Sequence, residues 1–231
     1  MLQWLTGYSE AAFHASESSV ELTQKTGEST TWAGVCKFAI PPSYTCPVLQ
    51  NGHVQTVRII LDRPKLPIYY KRWMFQQKDK HFSGRFAVDF VAEPGKEFDG
   101  CPPTQTIDLT EDEFSELGSL DAKPMLVVLH GMNGGSHESY LRRTIMPFVC
   151  DGGGWEACIV NSRGCAGSQL EGGLLYNARS TWDYRQTVNW LRDNFPNRPL
   201  FGLGFSMGGN ILIHVRDNTS SFLLSFVYRI H

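Results

Sequence analysis

No run of apolar residues in this 231-residue chain approaches the roughly 18 needed to cross a bilayer as a helix. The opening residues, Met1-Leu2-Gln3-Trp4-Leu5-Thr6, lack the positive region and long apolar stretch of a secretory signal. Neither sign of charge is in excess: 21 Lys and Arg stand against 23 Asp and Glu, so there is no electrostatic footprint for nucleic acid. Cys36, Cys46, Cys101, Cys150, Cys158 and Cys165 show no C-x-x-C spacing and no His pair nearby, which argues against a zinc site. There is no Gly-x-x-x-x-Gly-Lys-Ser/Thr phosphate loop, no repeat and no low-complexity tract. These absences leave an ordinary globular chain, 42% apolar and long enough to bury a sizeable core. Its 22 Gly and 12 Pro mark many turns. The cysteines are expected as reduced thiols in the cytosol, with Cys158 a small apolar residue in a buried strand. No metal and no cofactor are called for.

Residues 1–31 are rich in Ser, Thr, Glu and Gln and read as a poorly ordered arm, with the folded domain over 32–231. Pro41-Pro42, Pro47, Pro64 and Pro67 punctuate the next stretch, and Asn51-Gly52-His53-Val54-Gln55-Thr56 in its middle reads as loop and short turns. Strands are expected over 68–75 and 85–92, joined as a hairpin. In the second, Phe86, Val88 and Phe90 alternate with Arg85, Ala87 and Asp89, the period of a half-buried strand. From Pro124 the rhythm becomes strand, helix, strand, helix, strand. The apolar runs 125–129, 157–160 and 200–205 read as buried parallel strands, with helices over 139–150 and around Tyr184, Val188, Leu191 and Phe195. That alternation predicts an α/β fold with a largely parallel sheet, its core spanning 124–212.

Gly204-Phe205-Ser206-Met207-Gly208 follows the last of these strands directly and opens a helix. A serine on such a strand-to-helix turn is held clear of the sheet, beside the free backbone N–H groups and positive end of a helix dipole. This is the pattern of a nucleophile elbow. Upstream, His130-Gly131-Met132-Asn133-Gly134-Gly135 closes the first buried strand. Acyl transfer develops an oxyanion that needs two fixed donors about 3 Å away. The backbone N–H groups of Met132 and Met207 are the candidates. His130 is read as packing behind its loop rather than as a base, because the base in such sites follows the nucleophile in chain order. Asn161-Ser162-Arg163-Gly164-Cys165 lies at the same sheet edge, and either shapes a pocket or only turns the chain. No base can be assigned to Cys165 as a nucleophile.

These segments, from Asn51-Gly52-His53-Val54-Gln55-Thr56 through His130-Gly131-Met132-Asn133-Gly134-Gly135-Ser136-His137-Glu138-Ser139-Tyr140 and Asn161–Cys165 to Gly204-Phe205-Ser206-Met207-Gly208-Gly209-Asn210, resemble the α/β-hydrolase superfamily, specifically the YheT-like group of the AB hydrolase 4 family. That group includes fungal medium-chain fatty-acid ethyl ester synthase/esterases. The resemblance implies a serine hydrolase acting on acyl or lipid esters through Ser206, with transfer of the acyl group to an alcohol in some relatives. The implied partners are a small acyl ester and an alcohol acceptor. The implied location is cytoplasmic, with peripheral contact to a membrane or lipid droplet in some relatives.

In that fold the acid and the histidine follow the nucleophile. Only 25 residues follow Ser206. His214, eight residues on, would sit about 12 Å along the same helix and cannot be the base. Asp217 and His231 stand in the required order, but the interval leaves no room for strands that would return them to the serine. The acid and base are therefore expected beyond the chain end. Residues 213–231 depart from the family pattern and read as the tail of a C-terminally truncated product. Its later strands would be missing, and the strand over 200–205 would become an uncovered sheet edge. A catalytically incomplete chain that binds lipid without turnover is the alternative reading.

Overall fold

The computed structural model describes residues 8–9, 21–23, 26–40, 43–44, 51–61, 66–95, 98, 106–150, 152–217 and 225–227. The chain divides into two compact units, Met1–Arg63 and Pro64–His231. Trp32, where the sequence reading starts the folded domain, lies inside the first of these units.

In the first unit, β1 (Tyr8–Ser9) pairs antiparallel with β4 (Ser43–Tyr44), and β2 (Glu21–Thr23) pairs with β3 (Ser29–Thr31) as a hairpin. That hairpin lies inside the stretch expected as an unstructured arm; the rest of the arm, β1 apart, is almost entirely outside the described residues. Helix α1 (Trp32–Ala39) is capped by Thr31, whose hydroxyl accepts from the Gly34 N–H at 3.1 Å. The Asn51–Thr56 segment, expected as loop, instead begins α2 (Gly52–Leu61). Asn51 explains the correction: its side-chain oxygen accepts from the His53 N–H at 2.8 Å, so a residue read as a turn former starts a helix.

The second unit is built on a seven-stranded sheet. It contains β5 (Tyr69–Gln76), a 3-10 turn over Lys80–Phe82, β6 (Arg85–Ala92), β7 (Thr106–Asp108), α3 (Glu111–Ser115), β8 (Met125–Leu129), α4 (Ser139–Val149), β9 (Glu156–Val160), α5 (Trp182–Asn194), β10 (Leu200–Gly204), α6 (Met207–Asp217) and β11 (Ser225–Val227). The strand order is β11-β10-β8-β9-β6-β5-β7. Strands β9, β8, β10 and β11 run parallel; β6 is antiparallel to β9 and to β5. Strand β10 is not a sheet edge, because the tail adds β11 beside it in parallel register from Phe201↔Ser225 to Leu203↔Val227. A parallel neighbour needs a crossover, and α6 supplies it.

The sheet buries both faces. Met125, Val127 and Leu129 of β8 face Tyr184, Val188 and Leu191 of α5 and Ile211, Leu212 and Val215 of α6. Leu126 and Val128 face the other way, against Leu141 and Ile145 of α4. This double coverage corrects the reading of β6 as half-buried: Ala87 and Asp89, expected to face solvent, are as fully buried as Phe86 and Val88. Period-2 alternation marks one apolar face, but β6 lies third from one edge of the sheet, with packed residues on both sides. The carboxylate of Asp89 thus sits in the interior.

Candidate active site

The carboxyl ends of β8, β9 and β10 share one edge of the sheet, and the register of β6 against β9 brings the β5–β6 turn to the same edge. Ser206 occupies the turn between β10 and α6 with φ of 51°, one of three non-glycine residues in the left-handed region among those described. Such a backbone costs of order 1–3 kcal/mol and persists only where its surroundings enforce it. Two glycines make it possible. A Cβ on Gly208 would lie 2.6 Å from the Leu129 carbonyl oxygen, and one on Gly204 would lie 2.5 Å from the Gly209 nitrogen. Both obstacles are backbone, so only glycine lets the first turn of α6 close against β8 and β10. The Phe205 N–H donates to the Leu129 carbonyl at 3.0 Å, tying the elbow to β8.

The loop after β8 comes to the same point. A Cβ built on Gly131 would lie 3.7 Å from the Ser206 Cβ and 3.4 Å from the Tyr140 hydroxyl. The N–H groups of Met132 and Met207 have no acceptor among the described residues. Ser206 is exposed, and its hydroxyl likewise has no partner there. Sequence order alone did not place Tyr140, although it lies within the quoted motif. It projects from α4, accepts the Gly131 N–H at 3.0 Å and packs edge-on against Phe205. Asn133, also at positive φ, exchanges two hydrogen bonds with the Tyr176 hydroxyl, at 3.1 and 2.8 Å. Nothing in the sequence pattern signalled Tyr176.

His130 is buried and occupied. The Ser162 N–H donates to its Nε2 at 3.0 Å, so the ring proton is on Nδ1 and donates to the Gly131 carbonyl. Burial pushes its pKa below the usual histidine value, which keeps the ring neutral. It ties the loop after β8 to the loop after β9, the bland role expected for it. His214 lies on α6, as anticipated. Asp217 ends the same helix, and His231 is outside the described residues.

The loop after β9 anchors the edge through two buried ion pairs. Arg163 grips Asp183 with Nε and Nη2, both at 2.8 Å, and also donates to the Phe82 and Ser83 carbonyls at 2.6 and 2.9 Å. Arg72 of β5 grips Asp89 in the same way at 2.6 and 2.8 Å and reaches the Ala166 carbonyl at 2.8 Å. Asn161 joins the second pair to the site: its Nδ2 donates to Asp89 at 2.8 Å, and its Oδ1 accepts the Ser136 N–H at 3.0 Å. Burial alone would lower the Arg72 pKa, but the hydrogen bond and charge of Asp89 win and hold it above its ordinary value. Through Asn161, Arg163 and the Ala166 carbonyl these contacts tie the loop after β9 to β5, β6 and α5.

Cys36, Cys158 and Cys165 are free thiols; Cys46 and Cys101 lie outside the described residues. Burial pushes the Cys158 thiol far above its usual range. No group of three or more His, Cys, Asp or Glu suited to a metal occurs among the described residues, and no described helix is long and apolar enough to cross a membrane.

Residues 124–222 match the family described as the alpha/beta hydrolase fold, over the strands, helices and elbow just described. The chain belongs to the α/β-hydrolase superfamily. Among its relatives in this superfamily is a monoacylglycerol lipase of Saccharomyces cerevisiae, 48% identical over 42% of this chain and 21% of the relative. The medium-chain fatty acid ethyl ester synthase/esterase 2 of the same yeast is 34% identical over 45% and 23%. The putative esterase YheT of Escherichia coli is 28% identical over 48% and 34%. The matched segments thus span well under half the length of these hydrolases.

Proposed function

We propose that the chain carries the nucleophile and oxyanion half of a serine carboxylic-ester hydrolase, acting on acyl or lipid esters. The observation that carries the reading is Ser206 itself: an exposed hydroxyl on a positive-φ elbow at a helix N-terminus, with the Gly131 loop packed beside it. Its oxygen would attack the ester carbonyl while the Met132 and Met207 N–H groups receive the oxyanion, with no side chain between them and the substrate. Collapse of that intermediate expels the alcohol and leaves acyl-Ser206. Water then releases a fatty acid, or an alcohol takes the acyl group instead. A medium-chain or glycerol ester fits the relatives' names. The acid and histidine of the triad are assigned to positions downstream of Ser206.

A second reading rests on one observation, that the Ser206 hydroxyl has no base within hydrogen-bonding reach among the described residues. On that reading the chain keeps the fold and binds lipid esters without turnover. A fluorophosphonate probe separates the two. Labelling of the folded chain that disappears in Ser206→Ala supports the activated serine; absence of labelling in chain shown to be folded by circular dichroism refutes it.

A further inference from the structure

A cavity of about 680 Å³ lies away from Ser206, between the N-terminal half of α5 and the β5–β6 turn. Its walls include Phe82 stacked on Trp182 with ring centres 4.2 Å apart, together with Lys78, Arg185 and Trp190. It sits at the β5–β6 side of the sheet. None of its lining residues belongs to the Ser206 elbow or to the Gly131 loop.

Three donors on these walls are shielded from water and have no acceptor: Nε and Nη2 of Arg185, and Nε1 of Trp182. A buried donor left unpaired has lost its water without gaining a partner, and more so when charged, so this is not a neutral arrangement. The two Arg185 nitrogens form one edge of the guanidinium. That same edge is used three times elsewhere among the described residues. Arg72 places Nε and Nη2 on the Asp89 carboxylate, Arg163 places them on Asp183, and Arg198 places them on Asp121 at 2.7 Å each. The lining carboxylates do not fill the role for Arg185: neither Asp79, which accepts from the His81 N–H at 2.9 Å, nor Asp193 meets it.

We infer that Arg185 and Trp182 form a binding site for a carboxylate carried on an apolar body. The carboxylate takes the free guanidinium edge in the planar two-point geometry the protein uses elsewhere, with the indole N–H as a third donor. The apolar body lies against the Phe82, Trp182 and Trp190 rings. Arg185 is half-buried with that edge shielded, so binding requires the edge to turn toward the cavity. The site does not depend on ester hydrolysis.

The test follows the Trp182 indole N–H resonance in the isotope-labelled full chain, assigned by its loss in Trp182→Phe. Octanoate is the carboxylate probe, octanol its neutral counterpart, and inorganic phosphate the non-planar anion. Octanoate should shift the resonance saturably, equally in Ser206→Ala. Arg185→Met should weaken that binding at least about tenfold, and Arg185→Lys, which keeps the charge but loses the fork, should also weaken it. An unchanged resonance, an equal response to octanol, a response to phosphate alone, or unaltered binding in both Arg185 variants overturns the proposal.

Discussion

Asp89 is fully buried, and its carboxylate serves both the Arg72 fork and the Asn161 amide. Asp89→Leu would leave the Arg72 cation, itself 9% exposed, with the Ala166 carbonyl and the charge of Asp108 in place of its buried carboxylate partner. Breaking a buried ion pair by removing one member typically costs about 3–5 kcal/mol, because the remaining charge stays uncompensated. In a unit of this size each kcal/mol moves the midpoint by roughly 2–4 °C, so a fall of about 6–20 °C is expected. The double variant Arg72→Met with Asp89→Leu removes both charges at near-constant volume. The Asn161 amide then loses the Asp89 acceptor and the Ala166 carbonyl loses the Arg72 donor, neutral losses that together cost about 1–3 kcal/mol. The double variant should therefore be about 2 kcal/mol more stable than Asp89→Leu alone, and, with a comparable loss for Arg72→Met, the two losses should be far from additive. Urea unfolding followed by circular dichroism, with unchanged m-values, measures all four corners of the cycle. Strictly additive losses, or a single-variant loss below about 1 kcal/mol, would refute the reading of this pair as a buried, mutually compensated unit.

Gly208→Ala drives a methyl into the Leu129 and His130 carbonyl oxygens and should destabilise by about 3 kcal/mol, whereas Gly173→Ala, with nothing within 4 Å, should be near neutral; thermal melts compare them. Tyr140→Phe removes the acceptor of the Gly131 N–H and should cost about 1–3 kcal/mol of stability; it should also slow fluorophosphonate labelling of Ser206, read as the labelling rate at fixed probe. His130 has a folded pKa held below its unfolded value by burial, so the unfolded chain binds the extra proton first. Its contribution is present above about pH 6.5 and is lost as pH falls through the depressed folded value. His130→Gln should flatten the slope of stability against pH in that window, and an unchanged slope in denaturant titrations would contradict the assignment.

The three central strands, their helices and the serine elbow were legible because each rests on local chemistry. Apolar runs of four to six residues, the 3.6-residue spacing of Tyr184, Val188, Leu191 and Phe195, and glycines at fixed offsets from Ser206 all lie within a dozen residues of one another. The tail escapes such reading for a related reason: Ser225–Val227 is too short to show a period, and only its pairing with β10 makes it a strand. Asn51 shows the limit from the other side, since an asparagine before glycine signals a turn and a helix start equally well.

Sequence by itself marked the α/β fold, the three buried parallel strands and the serine proposed as nucleophile, because spacing along the chain encodes strand, turn and helix start. Tertiary structure alone decided what surrounds that residue. It converted β6 from a half-exposed strand into an interior one and put the Asp89 carboxylate inside. It also made His130 a strut between two loops and left Arg185 without the carboxylate that Arg72, Arg163 and Arg198 each have. Such partners can be far apart in the chain: Arg198 and Asp121 are separated by 77 residues, and Arg72 and Ala166 by 94. A charge's fate depends on which groups the fold brings within about 3 Å, a distance no local pattern records.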